Sequence, residues 1–228
     1  MGVSFPLPVK AVTIDLDGTL LDTIPDLAAA ANMMLFELGR QPLGEALIRT
    51  FVGKGLQNLV ERTLAGHVVG GAEPESMARA LPIFERCYSA MNGKHTTMYP
   101  GVREGLAKLK AQGIPLACVT NKSTRYTLPL LDMVGLAGYF EQVVAGDTLA
   151  RKKPDPAPLL HACEFFAIAP RDMLMIGDSL NDTQAARAAG CPVFCVTYGY
   201  NEGHDVRTLD TDALVDTLDE AASLVRKA

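Results

Sequence analysis

Val9-Lys10-Ala11-Val12-Thr13-Ile14-Asp15-Leu16-Asp17-Gly18-Thr19-Leu20 carries the pattern from which the architecture follows. Its first half is short, mostly apolar and β-branched, as expected of a strand buried on both faces of a parallel sheet. Its second half sets two carboxylates at the C-terminal end of that strand, with a glycine behind them. In an open α/β sheet, ligands sit beyond the carboxyl ends of the strands, so Asp15 and Asp17 arrive where chemistry is expected. Acids one residue apart point in different directions. One can attack while the other moves a proton, provided their surroundings separate their pKa values. Taken alone, the same run also fits a solvated Asp-x-Asp-Gly turn or a calcium loop.

The rest of the chain bears on that choice. From Ile24 to Asn92 the pattern is helical, with helices expected over Asp26–Leu38 and Glu73–Met91. Between them, a helical stretch from Leu43 to Leu64 is interrupted at Gly53-Lys54-Gly55. From Tyr99 onward, strand and helix patterns alternate. Strands are expected at Leu116–Thr120, Gln142–Val144, Met173–Ile176 and Val193–Val196, with a short edge strand at Ala213–Val215. A helix from Val102 to Gln112 should end at Gly113. Alternation of this kind implies a Rossmann-like parallel sheet with helices on both faces and right-handed crossovers. The expected organisation is an α/β core of residues 1–23 and 93–228, with a helical cap domain, residues 24–92, inserted after the first strand. Hung over the carboxyl end of the sheet, such a cap could close on substrate and exclude water.

At 228 residues the chain can bury a sizeable core without metal or disulfide staples. The net charge of −5, with no basic block, argues against nucleic acid and against an anionic membrane surface as partners. The five cysteines, Cys87, Cys118, Cys163, Cys191 and Cys195, show no CxxC spacing. They read as reduced core thiols. The N-terminus lacks a signal-peptide pattern, and no apolar stretch approaches about 18 residues. The expectation is a cytoplasmic protein, monomeric or homodimeric.

Three further signals fall at the ends of later strands. Thr120-Asn121-Lys122 offers a hydroxyl and an amide to a phosphoryl oxygen. Arg151-Lys152-Lys153-Pro154 supplies a cation beside stiffening prolines. Gly177-Asp178-Ser179-Leu180-Asn181-Asp182 brings more carboxylates. Each alone has a bland alternative in a helix cap or a surface turn. Together, at successive strand ends, they suit phosphoryl transfer: a carboxylate nucleophile, a hard cation such as Mg²⁺ to mask phosphate charge, a lysine, and hydrogen-bond donors. The substrate class is a small-molecule phosphate ester.

These four motifs resemble those of the haloacid dehalogenase-like superfamily. That resemblance implies Asp15 as nucleophile and Asp17 as general acid/base, with Thr120, Asn121 and Lys153 binding the phosphoryl group. It also implies magnesium at Asp15, Asp178 and the backbone carbonyl of Asp17, with Asp182 behind them. Lys152 is the fallback if the loop register slips by one. Asp17 separates the chain from the dehalogenases themselves, which need no proton for a halide. Thr23-Ile24-Pro25-Asp26-Leu27 lacks the cap-hinge histidine of the β-phosphoglucomutase type. Lys54, between two glycines, reads as a mobile solvated amine, unlike the Schiff-base lysine of phosphonatases.

Arg49-Thr50-Phe51-Val52-Gly53-Lys54-Gly55-Leu56, with Leu59 and Glu61-Arg62, is similar to the cap signature of bacterial phosphoglycolate phosphatases. So are Ala145-Gly146-Asp147-Thr148 and Thr197-Tyr198-Gly199-Tyr200-Asn201-Glu202-Gly203. The implied reaction is magnesium-dependent hydrolysis of 2-phosphoglycolate. Pyrophosphate or a sugar phosphate is the alternative substrate, and a non-catalytic phosphate-binding protein the alternative class. Gly53 would let the cap loop approach a small ligand, and Lys54 could meet its carboxylate. A helix break with an exposed lysine is the plain alternative.

Overall fold

The computed structural model describes residues 4–69 and 71–228. The chain enters through β1 (Leu7–Val9) and β2 (Ala11–Ile14). Every residue of β2 is buried. Each large apolar side chain so buried contributes roughly 1.5–3 kcal/mol. β3 (Leu21–Asp22) leads into four helices: α1 (Ile24–Glu37), α2 (Glu45–Arg49), α3 (Leu56–Ala65) and α4 (Pro74–Met91). β4 (Thr97–Met98) then returns antiparallel to β3, with Leu21 opposite Met98.

Strands and helices alternate from there, through α5 (Val102–Ala111), β5 (Leu116–Val119), α6 (Thr124–Met133) and β6 (Gln142–Val144). α7 (Ala157–Phe165), β7 (Met173–Gly177), α8 (Leu180–Ala189) and β8 (Val193–Val196) follow. β9 (Ala213–Val215), α9 (Leu218–Ser223) and β10 (Val225–Lys227) complete the chain. The central sheet has six parallel strands in the order β6-β5-β2-β7-β8-β9.

One face of the sheet packs against Val102, Leu106, Leu109, Leu130 and Leu218 of α5, α6 and α9. The other packs against Leu159, Ala162, Ala185 and Ala186 of α7 and α8. The expected α/β sheet with helices on both faces is thus present. Successive strands are laid down on one side of β2 (β5, β6) and then on the other (β7, β8, β9), so the crevice between β2 and β7 is the switch point where such folds bind ligands.

The four helices between β3 and β4 have an apolar core of their own. It includes Leu27, Met34, Ile48, Phe51, Phe84 and Tyr88, and it takes in Tyr126 and Tyr200 from outside that segment. The carboxylate of Asp26, fully buried in α1, holds the returning chain: it accepts from the backbone N–H groups of Gly93 (2.8 Å), His95 (2.8 Å) and Thr96 (3.1 Å), and from the Thr96 hydroxyl (2.7 Å). β1 pairs with β10 in a separate two-stranded sheet. That pairing and the β3–β4 pairing were not among the sequence expectations. The five cysteines are free and buried. Among the described residues, no helix is long and apolar enough to cross a membrane.

Candidate active site

β2 ends by handing Asp15 to the switch point, its N–H bonded to the Ile176 carbonyl of β7 at 2.9 Å. The chain must then turn sharply beneath the end of β7. Gly18 makes this possible: its φ is +89°, and a Cβ there would lie 2.3 Å from Asp178 Oδ2. A side chain at this position would be strained in backbone and would collide with a carboxylate.

Lys153 is the electrostatic hinge of the site. Its side chain is 2% exposed, and its ammonium lies 2.9 Å from Asp15 Oδ1 and 2.7 Å from Asp182 Oδ1. It also donates to the Val119 carbonyl at 2.6 Å. Burial alone would lower its pKa; Asp15 and Asp182 outweigh that and hold it above the ordinary lysine value. Asp182 is fully occupied, since its Oδ2 accepts from the backbone of Asp178 (3.2 Å) and Ser179 (3.1 Å) and from the Ser179 hydroxyl (2.8 Å). It therefore positions Lys153 and the start of α8.

Asp17 faces a different set of partners. Its Oδ1 accepts from the Thr23 hydroxyl at 2.8 Å, and Lys122 Nζ lies 3.0 Å from Oδ1 and 3.2 Å from Oδ2. Thr120, buried just beyond β5, accepts the N–H of Lys122 on its hydroxyl at 3.2 Å. Asn121 donates to the carbonyls of Gly53 and Lys153, both at 2.8 Å. It thereby ties the loop between α2 and α3 to the loop that carries the lysine. Gly53 adopts φ +127° in that loop, which suits glycine alone.

Three carboxylates, Asp15, Asp178 and Asp182, each offer an oxygen within 4.8 Å of the others, and among the described residues the ammonium of Lys153 is the one paired with them. Burial raises the Asp15 pKa to about 7, Lys153 opposes that, and Asp182 and Asp17 add to it. Asp178 is driven up by burial and then by Asp182 and Asp15. Apart from its ion pair, Asp15 Oδ1 accepts no hydrogen bond. Crowded, under-neutralised oxygen donors of this kind suit a hard divalent cation. Asp182 is committed through both oxygens, and Asp178 Oδ2 accepts the Tyr200 N–H at 2.6 Å, so Asp15 and Asp178 Oδ1, which only the Thr19 hydroxyl approaches at 3.3 Å, are the groups with capacity to hold it.

These groups open into one cleft of about 640 Å³, counted to its mouth, lined by Asp15, Asp17, Thr120, Asn121, Gly53 and Asp178 among others. Leu27, Val52, Leu56 and Leu59 from the helical segment form its apolar wall. Lys54 is placed elsewhere: its half-exposed ammonium pairs with Glu202 at 2.9 Å, as does the buried Arg62 guanidinium at 3.0 Å. Burial works against ionisation of Glu202, yet these two cations bring its pKa below the ordinary value. Lys152, the fallback, reaches Gly55, and Lys153 takes the place beside Asp15. Sequence reading missed Lys122, Tyr88 and Tyr200 in the cleft. Tyr200 hydroxyl accepts from Thr23 N–H (2.8 Å) and donates to Asp22 (2.9 Å), linking the loop after β8 to the start of α1.

Residues 12–196 match the family of haloacid dehalogenase-like hydrolases. The chain is 59% identical over 224 residues to a phosphoglycolate phosphatase of Nitrosospira multiformis, covering 98% of this chain and 99% of the relative. It is 54% identical to a phosphoglycolate phosphatase of Thiobacillus denitrificans, covering 99% of both. A crystal structure described as a predicted phosphoglycolate phosphatase from Haemophilus somnus superposes with a TM-score of 0.87 at 33% identity, covering 93% of this chain and 96% of that one.

Proposed function

Because the chain belongs to the haloacid dehalogenase-like hydrolase family, we propose that it hydrolyses 2-phosphoglycolate to glycolate and phosphate through a phosphoryl group carried on Asp15. The observation that carries this reading is the Asp15–Lys153 ion pair of 2.9 Å at the head of a carboxylate-crowded cleft. The names of two relatives more than half identical to the chain support the substrate.

In the first step an Asp15 carboxylate oxygen attacks phosphorus and the ester bond breaks. Asp17 gives its proton to the departing oxygen of glycolate. In the second, Asp17 takes a proton from water, the water oxygen attacks phosphorus, and Asp15 is released with phosphate. Thr120 and Lys153 hold the phosphoryl oxygens while charge shifts among them, and Asn121 adds its backbone N–H, because its side-chain amide is spent on the carbonyls of Gly53 and Lys153. Magnesium, held by Asp15, Asp178 and the Asp17 carbonyl, would mask the repulsion between the phosphate dianion and the attacking carboxylate. In this reading residues 24–92 act as a cap over a core of residues 1–23 and 93–228. Their apolar wall excludes water from the first step. The protein would work in the cytoplasm as a monomer or homodimer.

The test is phosphate release from a panel of 2-phosphoglycolate, pyrophosphate, hexose phosphates and p-nitrophenyl phosphate, with magnesium and with chelator. The expected result is magnesium-dependent release with kcat/KM for 2-phosphoglycolate about 100-fold above the others, worth about 2.7 kcal/mol of transition-state discrimination. A flat profile would discard the substrate. Release from none of them would discard the phosphatase.

A further inference from the structure

The substrate proposed above carries a second anion, its carboxylate, and nothing among the phosphoryl-binding groups accounts for it. A buried anion needs a cation or several donors facing it. Lys54 and Arg62 are paired with Glu202, and neither lines the cleft. Among the described residues that line the cleft, Lys122 is the single lysine or arginine. Its side chain is 4% exposed, and its ammonium donates to both oxygens of Asp17. An ammonium has three donors, so the Asp17 contact does not exhaust it.

The face opposite the core comes from α4. Tyr88 is 2% exposed, its ring lies 4.9 Å from Lys122 Nζ, and its hydroxyl has no hydrogen-bond partner. A buried phenol without a partner is costly, and natural structures seldom leave one unmatched. Tyr88 is also one of the points where the helical segment meets the rest of the chain, since its ring packs 4.7 Å from that of Tyr126 in α6.

We propose that Lys122 and Tyr88 together form the subsite for the carboxylate of the substrate. The ammonium supplies charge, the phenol supplies a neutral donor, and the two stand side by side, one from the loop after β5 and one from α4. This deepens the phosphoglycolate reading and rests on it. It assigns selectivity to a core lysine two residues after Thr120, in place of the loop lysine Lys54. A phosphate ester with no carboxylate would leave Lys122 and Tyr88 half-satisfied in a dry site. A site built to hydrogen-bond one group rejects analogues that lack it.

The experiment compares kcat/KM for 2-phosphoglycolate with that for 2-hydroxyethyl phosphate, in which a hydroxymethyl group replaces the carboxylate. It uses the magnesium-loaded wild type and the variants Lys122→Met, Tyr88→Phe and Lys54→Ala. The ratio between the two substrates is the readout, because loss of support for Asp17 or of packing lowers both and leaves the ratio intact. Lys122→Met should collapse the ratio by about 10- to 100-fold, as for a hydrogen bond to a charged group, and Tyr88→Phe by about 3- to 10-fold. Lys54→Ala should leave the ratio in place. A ratio unchanged in both Lys122→Met and Tyr88→Phe overturns the subsite, as does a collapse confined to Lys54→Ala. Should Lys122→Met not fold, Tyr88→Phe decides alone. A wild type that does not favour 2-phosphoglycolate removes the substrate reading and the subsite together, and that outcome is visible before any variant is compared.

Discussion

Lys153 Nζ stands 2.9 Å from Asp15 Oδ1 in a site where its own side chain is 2% exposed. An ammonium so placed offsets part of the charge on the Asp15 carboxylate, the nucleophile of the proposed first step. It does so without reorganising during the reaction, which is where electrostatic catalysis gains most. Replacing it with methionine should lower kcat by about 10²- to 10³-fold. Arginine should not rescue it, because the planar guanidinium cannot sit between Asp15, Asp182 and the Val119 carbonyl as a compact ammonium does. Steady-state kinetics on both variants checks this.

Asp17, the general acid/base of the proposed reaction, is oriented by a hydroxyl from Thr23 and an ammonium from Lys122. Asp17→Asn should lower kcat for 2-phosphoglycolate by about 10²- to 10⁴-fold, the usual range for a lost general acid/base. The first step with p-nitrophenyl phosphate should suffer far less, since its leaving group needs no proton. Rapid-quench kinetics should then show a nitrophenol burst followed by slow turnover.

Metal binding and pH are linked through Asp15. Its pKa is raised from 3.8 to about 7 in the folded protein, so without metal this group favours folding most below about 4. That contribution is lost as pH rises toward about 7. Magnesium needs the ionised carboxylate and must displace a proton below that point. At one magnesium concentration well above Kd at both pH values, the stabilisation should therefore be larger at pH 8 than at pH 5.5, by about 2 kcal/mol. Thermal unfolding at the two pH values, with magnesium and with chelator, measures this.

Asp26 joins the start of the helical segment to its exit through four hydrogen bonds. Asp26→Ala strands three backbone N–H groups in a buried setting and should cost roughly 3 kcal/mol. For a chain of this size that is about 6–12 °C in Tm. The melting temperature of the variant tests it.

The main strands were legible because each is an apolar, β-branched run between turn residues. Gln142–Val144 and Val193–Val196 begin and end where expected, and Met173–Gly177 runs one residue further. β5 ends at Val119, one residue short of the expectation: the Thr120 N–H still bonds to the Val144 carbonyl of β6 at 2.9 Å, and Thr120 lines the cleft. The β3–β4 pair has two residues a side, too few for any period to show. The strand Val225–Lys227 has two exposed residues out of three and carries no apolar signature. Asp15, Asp17, Thr120, Lys153 and Asp178 were legible from motif spacing at strand ends. Lys122 and Tyr88 were not. The Lys122–Asp17 contact spans 105 residues of sequence, and α4 reaches the cleft only through tertiary packing. In the sequence Tyr88 is one aromatic among the apolar positions of a helix. Asn121–Lys122 reads as the tail of a strand-end motif.

The account turns on Asp15 as the residue that carries the phosphoryl group. The most direct measurement is mass spectrometry of the protein acid-quenched during turnover of 2-phosphoglycolate with magnesium. Peptide mapping would then locate any added phosphoryl group. The account predicts one phosphoryl group on the peptide containing Asp15, absent with chelator and absent in Asp15→Asn, a variant that should keep the fold and lose turnover. A phosphoryl group on another residue would contradict it, as would an Asp15→Asn enzyme that releases phosphate at the wild-type rate.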